Sequence, residues 1–157
     1  MITSIDHYDI ELLSSLQRFP GASQRQLADH VGLSQNACWR RLKRLEEEGV
    51  LQGRTYRISR QALGLDLVVF TMIRTRHHTA DWLRDFAATV RAIPEVVEFF
   101  RIAGDYDYLL KIVTRNMIDF DRVYRLLIEK QDLENVTSYF AMEAIAENRP
   151  LPLRAGL

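Results

Sequence analysis

The sequence predicts an α+β protein with two domains, one built from helices and one built from helices and strands. Two observations carry this prediction. In the first 50 residues, apolar side chains recur at steps of three and four, which is the spacing of helices. From residue 67 onward, runs rich in Val, Ile, Phe and Tyr alternate with two segments of helical spacing. We therefore expect a helical domain over residues 1–58, a linker over 59–66 and a mixed domain over 67–157.

Three helices are predicted in the N-terminal domain. They cover residues 6–17, the stretch from Ser23 to Gly32, and the stretch from Ser34 to about Glu48. Ser4 or Asp6 caps the first helix, because serine and aspartate side chains accept hydrogen bonds from the free N–H groups of a helix start. Two short helices joined by a tight glycine-containing turn, the second of them basic, form the pattern of a helix-turn-helix.

The segment after the third helix, residues 50–58, is rich in Val, Thr, Tyr and Ile and carries a turn signal at Gln52-Gly53. This composition predicts a short β-hairpin. A hairpin directly after the third helix would form a wing, so the first domain is predicted to be a winged helix-turn-helix.

The C-terminal domain is predicted to follow the order β-α-β-β-α-β, which is the ferredoxin-like pattern. Its strands cover residues 67–73, 96–103, 108–114 and 136–145, and its helices cover residues 80–93 and 117–130. The tail, residues 147–157, contains two prolines and is predicted to wrap over a surface or a partner.

The formal net charge is zero, but the charges are unevenly distributed. Residues 1–60 hold nine Lys and Arg against seven Asp and Glu, whereas residues 61–157 hold twelve against fourteen. Four bases and no acid lie between Ser34 and Leu45, on the third helix. A basic helix in a helix-turn-helix predicts double-stranded DNA as the partner.

The third helix and the segment after it supply the side chains that we expect to contact DNA. Asparagine and glutamine pair with adenine and arginine pairs with guanine, whereas other bases neutralise phosphates without reading sequence. The candidates near the base edges are Gln35, Asn36, Trp39 and Arg40, and those for phosphates are Arg41, Lys43, Arg44, Arg54 and Arg57. Ser34, at the start of the helix, is also expected to contact DNA. Two alternatives stay open: a solvated basic helix in an unrelated bundle, and a Trp39 that packs against the first helix.

A second candidate site is the turn Gly104-Asp105-Tyr106-Asp107. The glycine frees the backbone, and two carboxylates flank an aromatic ring, so the turn could bind the ammonium group of an amino acid. On spacing alone, a plain hairpin turn between two strands is the favoured interpretation, because Gly-Asp is common in such turns.

Catalytic and metal-binding patterns are absent from the sequence. None of the four histidines has a Cys, Asp or Glu at zinc-ligand spacing, and there is neither a glycine-rich phosphate loop nor a nucleophile elbow. We therefore expect no metal, no cofactor and no enzymatic activity. The sequence shows no signal peptide and no apolar run near the roughly 20 residues of a membrane span, and its single cysteine, Cys38, has no disulfide partner. These features predict a cytoplasmic protein.

The motifs, taken in order, closely resemble the Lrp/AsnC family of feast/famine regulators from about Ile5 to Ile145. The resemblance is carried by Ile5-Asp6, Leu12-Leu13, Val31-Gly32-Leu33-Ser34, Arg41-Leu42, Leu45-Glu46, Gly49-Val50 and the run Gly104-Asp105-Tyr106-Asp107-Tyr108-Leu109-Leu110-Lys111. One departure is Gly21-Ala22-Ser23, which stands where the family often has Arg-x-Ser, so one expected phosphate contact is missing.

This resemblance implies dimers that form through the C-terminal sheets and associate into octamers. It also implies a small effector, usually an amino acid, that binds between dimers near the Gly-Asp-x-Asp turn. Carried over to this chain, the effector site comprises Gly104, Asp105, Tyr106, Asp107, Met117, Tyr139, Phe140 and Ala141.

Three functions follow from these patterns. The first is a sequence-specific transcription regulator whose assembly or DNA binding responds to an amino acid. The second is an architectural DNA-binding protein without an effector. The third is an enzyme, since sirohaem decarboxylases resemble this family in fold, but it would need a basic, histidine-rich pocket in place of the Gly-Asp-Tyr-Asp turn.

Overall fold

The computed structural model describes residues 4–129 and 131–154, which form two units. One unit comprises the chain up to Arg57 together with the residues from Ala146 onward, and the other comprises Ile58–Ile145. The sequence-based boundaries placed the tail in the C-terminal domain instead. The tail joins the first unit because Leu153 packs against its apolar core and the Leu151 backbone exchanges two hydrogen bonds with the Gln17 side chain.

The first unit contains the three predicted helices. They are α1 (His7–Arg18), α2 (Gln24–Val31) and α3 (Gln35–Glu47). Asp6, Ser23 and Ser34 cap them, as each side chain accepts a hydrogen bond from a backbone N–H of the first turn. Gly32 ends α2 in the left-handed conformation, with φ of 68°, which permits the tight turn into α3.

One apolar core holds these helices together. Its buried members are Leu12, Leu13, Leu27, Ala28, Val31, Cys38, Leu42 and Leu45. Adjacent pairs on α1 and α2 and steps of four and three on α3 place them on one stripe of each helix, which turns inward and leaves the opposite stripe to solvent.

The predicted hairpin after α3 is wrong, because residues 52–59 form neither helix nor strand. Tyr56 and Ile58 are largely exposed, so no opposing strand covers them. Arg57 instead donates a hydrogen bond of 2.6 Å to the carbonyl of Asn148, in the tail. The segment therefore runs beside the tail as a loop in place of a two-stranded wing.

The second unit confirms the β-α-β-β-α-β order. After a short 3-10 helix at Gln61–Leu63 it contains β1 (Leu67–Arg74), α4 (Ala80–Arg91), β2 (Val96–Arg101), β3 (Tyr108–Thr114), α5 (Met117–Ile128) and β4 (Asn135–Phe140). The four strands form an antiparallel sheet in the order β2-β3-β1-β4.

The last strand ends five residues before the predicted end at residue 145. β4 pairs only with β1, and the Ala141 N–H makes the last bond, to the Val68 carbonyl near the start of β1. Beyond that point β1 offers no partner, so Met142 and Ile145 continue past the sheet and are almost fully exposed.

The two faces of the sheet differ. Alternate residues of β1, such as Val69 and Ile73, are buried in a core with Phe86 of α4 and Val123 of α5. The residues between them point away from the helices. This second face, here called the open sheet face, is formed by Phe70, Met72, Phe100, Leu109 and Tyr139. Its rings at Phe70, Phe100 and Tyr139 are exposed in the single chain.

In the described part of the chain, no helix is long and apolar enough to cross a membrane.

Candidate DNA-binding surface and effector site

The outer face of α3 gathers five of the ten predicted DNA contacts. Asn36, Arg40 and Lys43 follow one another at steps of four and three, so they lie on one side of the helix. Gln35 and Trp39 flank them, and all five side chains are exposed. Such a stripe has the width and the donor groups to enter a major groove.

Trp39 is half exposed, at 49%. Its ring lies beneath Lys43, whose Nζ is 5.3 Å from the ring centroid, in a cation–π contact. The ring is therefore oriented along the outer face of α3. Ser34 is also exposed, but its hydroxyl accepts the Ala37 N–H at 3.2 Å and so caps the helix.

Arg41 and Arg44 lie on a different side of α3, and the structure groups them with α1. Arg41 Nη1 donates to Asp9 Oδ1 at 2.8 Å and to Asp6 Oδ2 at 2.7 Å. Arg44 Nη2 donates to the other oxygen of Asp9. Hydrogen bonds to Asp9 and then to Asp6 raise the pKa of Arg41. The two arginines predicted to neutralise phosphates are thus already paired within the protein.

Two further arginines follow α3. Arg54 and Arg57 are exposed, and Arg57 is held by its bond to the tail. Sequence reasoning missed a third base, Arg25, which is exposed in the first turn of α2. The first helix of a helix-turn-helix crosses the DNA backbone, so the position of Arg25 beside the cap Ser23 is the signal that could have identified it.

The predicted effector turn is closed by Asp107. Its carboxylate accepts the N–H of Thr75 at 2.8 Å, and its own N–H donates to the Ile73 carbonyl at 2.9 Å. The turn therefore lies against the end of β1. Gly104 has φ of 132°, a conformation that disfavours any side chain, and the Asp105 carboxylate is exposed.

Tyr106 and Arg74 form the rim of this turn. The Tyr106 hydroxyl lies 3.0 Å from Thr137 Oγ1, at the start of β4. The Arg74 guanidinium lies 5.5 Å from the Tyr106 ring centroid, and its Nε donates to the Asp105 carbonyl at 2.6 Å. Sequence reasoning missed Arg74, because only the register of β1 against β3 places the end of β1 beside the turn.

The other predicted effector residues lie at the opposite end of the sheet. Ala141 bonds to Val68, while Asp107 bonds to Ile73, five residues further along β1. At about 3.3 Å per residue this separation is roughly 17 Å. Met117 lies at the Ala141 end, directly after β3, and is 54% exposed. Tyr139 and Phe140 are the last two residues of β4, directly before Ala141. One chain therefore does not bring the predicted set together.

Neither a metal site nor a reactive cysteine is present among the described residues. No group of three or more His, Cys, Asp or Glu in that part of the chain could hold a metal ion. Cys38 is buried in the first core, and burial raises the pKa of its thiol, which suits packing and not reactivity.

Comparison with known protein families gives two matches that together span most of the chain. A winged helix-turn-helix DNA-binding model matches residues 5–52. A model described as the Lrp/AsnC ligand binding domain matches residues 68–151.

Individual relatives are similar to this chain over nearly its whole length. The glutamate uptake regulatory protein of Zymomonas mobilis is 41% identical over 153 residues, which cover 98% of this chain and 93% of the relative. The DNA-binding transcriptional activator DecR of Escherichia coli is 39% identical over 150 residues, which cover 95% of this chain and 99% of the relative.

Two solved structures are also similar over nearly their whole length. An AsnC family transcriptional regulator from Agrobacterium tumefaciens has a TM-score of 0.89 and 39% identity, over 94% of this chain and 96% of that one. A transcriptional regulator from Neisseria meningitidis, solved in complex with L-Met, has a TM-score of 0.87 and 31% identity, over 95% and 97% of the two chains.

Proposed function

Because the chain belongs to the Lrp/AsnC family of DNA-binding transcription regulators, we propose that its exposed α3 face reads a specific DNA sequence and that its Gly104–Asp107 turn binds an amino acid. The function of this family is regulation, not catalysis. The observation that carries the proposal is the outer face of α3, where base-reading and basic side chains share one exposed stripe.

Each DNA contact has a role that follows from its chemistry. Gln35, Asn36 and Arg40 lie toward the start of α3 and offer the donors and acceptors that pair with adenine or guanine. Lys43 of α3 and Arg25 of α2, which are both exposed, would neutralise phosphates. Arg54 and Arg57 extend the basic surface beyond the helix. DNA as the partner implies a cytoplasmic protein.

The turn offers complementary groups for a free amino acid. The exposed Asp105 carboxylate would pair with the ammonium group, and the Arg74 guanidinium on the rim would pair with the carboxylate. The N. meningitidis relative bound to L-Met supports this ligand class. The second group of predicted residues, around Met117 and Ala141, would then reach the ligand from another copy of the chain.

The open sheet face supports a homodimer. Phe70 and Tyr139 face each other across β1 and β4, and Phe100 lies on the same face on the opposite edge strand, β2. Exposed apolar side chains grouped on one face mark protein interfaces. Dimers joined through this face would leave the ends of each sheet free, where further dimers could associate into an octamer around the effector.

The DNA-binding proposal is tested by fluorescence anisotropy on the DNA upstream of the protein's own gene, at two salt concentrations and with each of the twenty amino acids. We expect tight binding that weakens with salt and changes with one amino acid. Arg40→Gln should weaken specific binding about 10-fold or more, since one arginine–guanine pair contributes about 1–3 kcal/mol. Arg125→Gln, on the exposed side of α5, is the matched control and should bind as the wild type does.

The alternatives give different results in the same experiment. Binding that is indifferent to every amino acid would favour an architectural role, and an unchanged affinity for Arg40→Gln would exclude α3 as the reading helix.

The dimer is tested by sedimentation velocity. Phe100→Asp should dissociate the dimer, because it replaces an exposed aromatic ring of this face with a charge that the interface would bury. Phe19→Asp changes an aromatic ring of similar exposure in the first unit and should leave the assembly intact. A Phe100→Asp dimer as stable as the wild type would exclude the open sheet face as the interface.

A further inference from the structure

Asp9, in the first turn of α1, is a charged residue whose side chain is completely buried. Its two oxygens accept hydrogen bonds from Arg41, from Arg44 and from the Asp6 N–H at 3.0 Å. A buried carboxylate is stable only when it is paired in this way. The arrangement therefore ties the first turn of α1 to the middle of α3.

The two arginines are held firmly on α1. The Arg41 guanidinium also bonds to Asp6 and lies 5.4 Å above the centroid of the Tyr8 ring. Only 25% of the Arg41 side chain and 32% of the Arg44 side chain remain exposed. Two different guanidinium groups thus converge on one carboxylate, which leaves little freedom for α3 to rotate or tilt against α1.

The four bases of α3 are consequently divided into two pairs with different surroundings. Arg40 and Lys43 are exposed on the outer face, whereas Arg41 and Arg44 point toward α1. Free bases bind phosphates of any sequence and so raise non-specific affinity. A base that is paired inside the protein does not add to this non-specific affinity for DNA.

We propose that Asp9 is a positioning residue for DNA specificity, which holds Arg41 and Arg44 on α1 and so fixes the angle at which α3 presents its outer face. It also keeps two cations away from the DNA backbone. This inference rests on the proposed reading of DNA by α3. Asp9, although buried and outside that face, would then affect the ratio of specific to non-specific DNA binding.

The test measures DNA affinity against salt concentration for a specific site and for a random duplex. Each phosphate contact contributes about 0.9 to the slope of log affinity against log salt. Arg41→Gln should leave this slope unchanged, because Arg41 touches no phosphate, but should lower the ratio of specific to non-specific affinity several-fold. The Asp9 carboxylate keeps Arg44 as a partner in this variant, so the fold is retained.

Lys43→Gln is the matched control two positions away on the same helix. It should reduce the slope by about one, since its exposed side chain is proposed to neutralise a phosphate. A third variant, Asp9→Asn, releases both arginines. We expect its slope to steepen by about one to two and its affinity for the random duplex to rise, while the ratio of specific to non-specific affinity falls at least about 10-fold.

The outcomes separate the two proposals. If Arg41→Gln reduces the slope by as much as Lys43→Gln does, Arg41 contacts phosphate and the positioning role is wrong. If Arg41→Gln changes neither slope nor specificity, the pair with Asp9 is merely structural and the inference is again wrong. If Lys43→Gln has no effect on the slope, the proposed use of α3 fails instead. Should Asp9→Asn not fold, the Arg41 and Lys43 variants decide the question.

Discussion

The DNA-facing surface and the effector-facing surface are built in different ways. In the first unit, the exposed candidates of α3 lie within nine positions of one helix and share its outer face. In the second unit, the candidates lie at opposite ends of a sheet, roughly 17 Å apart along β1. One chain therefore brings the exposed α3 candidates together but separates the candidates for the ligand. Under the proposal above, copies of the chain would complete the ligand site where they meet, and a ligand would thereby control assembly.

The two units should also unfold separately, because each has its own core. Leu45→Ala in the first core and Leu110→Ala in the second should each cost about 2–5 kcal/mol, as both side chains are fully buried. Each loss should be confined to one unit. Trp39 and Trp82, the two tryptophans, report on the first and the second unit respectively.

Urea unfolding followed by fluorescence checks this prediction in variants that keep one tryptophan. Leu45→Ala should shift only the Trp39 transition and abolish DNA binding, while Leu110→Ala should shift only the Trp82 transition. Transitions that move together in both variants would show that the units unfold as one.

The tail offers a smaller perturbation of the first unit. Leu153 packs on the first core, whereas its neighbour Leu151 is mostly exposed. Leu153→Ala should therefore cost about 1–2 kcal/mol in the Trp39 transition, and Leu151→Ala should cost almost nothing. Equal effects of the two substitutions, or a shift of the Trp82 transition alone, would contradict the assignment of the tail to the DNA-binding unit.

At the effector turn, two aspartates should separate binding from structure. Asp107→Ala leaves the buried Thr75 N–H without an acceptor, so it should cost about 1–2 kcal/mol in the second unit and abolish the effector response, with DNA binding retained. Asp105→Ala removes an exposed carboxylate and should abolish the response at no cost in stability. Thermal unfolding and the amino-acid-dependent change in anisotropy check both variants. A response that survives Asp105→Ala would move the ligand elsewhere.

The smallest expected effect is a pH dependence in the first unit. Burial raises the pKa of Asp6, but the hydrogen bonds from the Asp9 N–H and from Arg41 outweigh it and hold the pKa below the usual value of 3.8. A carboxyl group whose folded pKa is lowered stabilises the fold above its ordinary pKa and loses that contribution as the pH falls through the folded value. The group is half exposed, so solvent limits the effect to below roughly 1 kcal/mol.

Asp6→Asn should therefore flatten the fall in stability of the first unit below about pH 4 and leave the second unit unchanged. The Trp39 and Trp82 transitions, measured between pH 2.5 and 6 in steps, distinguish this result from a general acid effect on both units.

Local signals were sufficient for most of the fold and for the DNA-facing helix. Ser23, Gly32 and Ser34 mark helix ends through their own side chains or backbone freedom, and the spacing of apolar residues shows which face of α3 is inward. The side of α3 opposite this inward face is its outer face, so the residues there could be named from the sequence.

Features that depend on distant residues could not be named. The partners of Arg41 and Arg44 are on α1, more than 30 positions away, and a list of bases does not reveal that a buried Asp9 holds two of them. The end of β4 depends on where β1 begins. The separation of the effector residues depends on sheet register, which one strand does not encode by itself.

The most direct test of the central claim uses two variants that are each unable to respond to the effector. Asp105→Ala damages the turn, and Met117→Asp damages the opposite end of the sheet. Each is assayed alone, and then the two are co-expressed as mixed oligomers, for the anisotropy response to the amino acid that acts on the wild type. If the site is built from two copies, some sites in the mixture pair an intact turn with an intact far end, and part of the response returns. A mixture as unresponsive as either variant alone would contradict the claim that copies of the chain complete the site together.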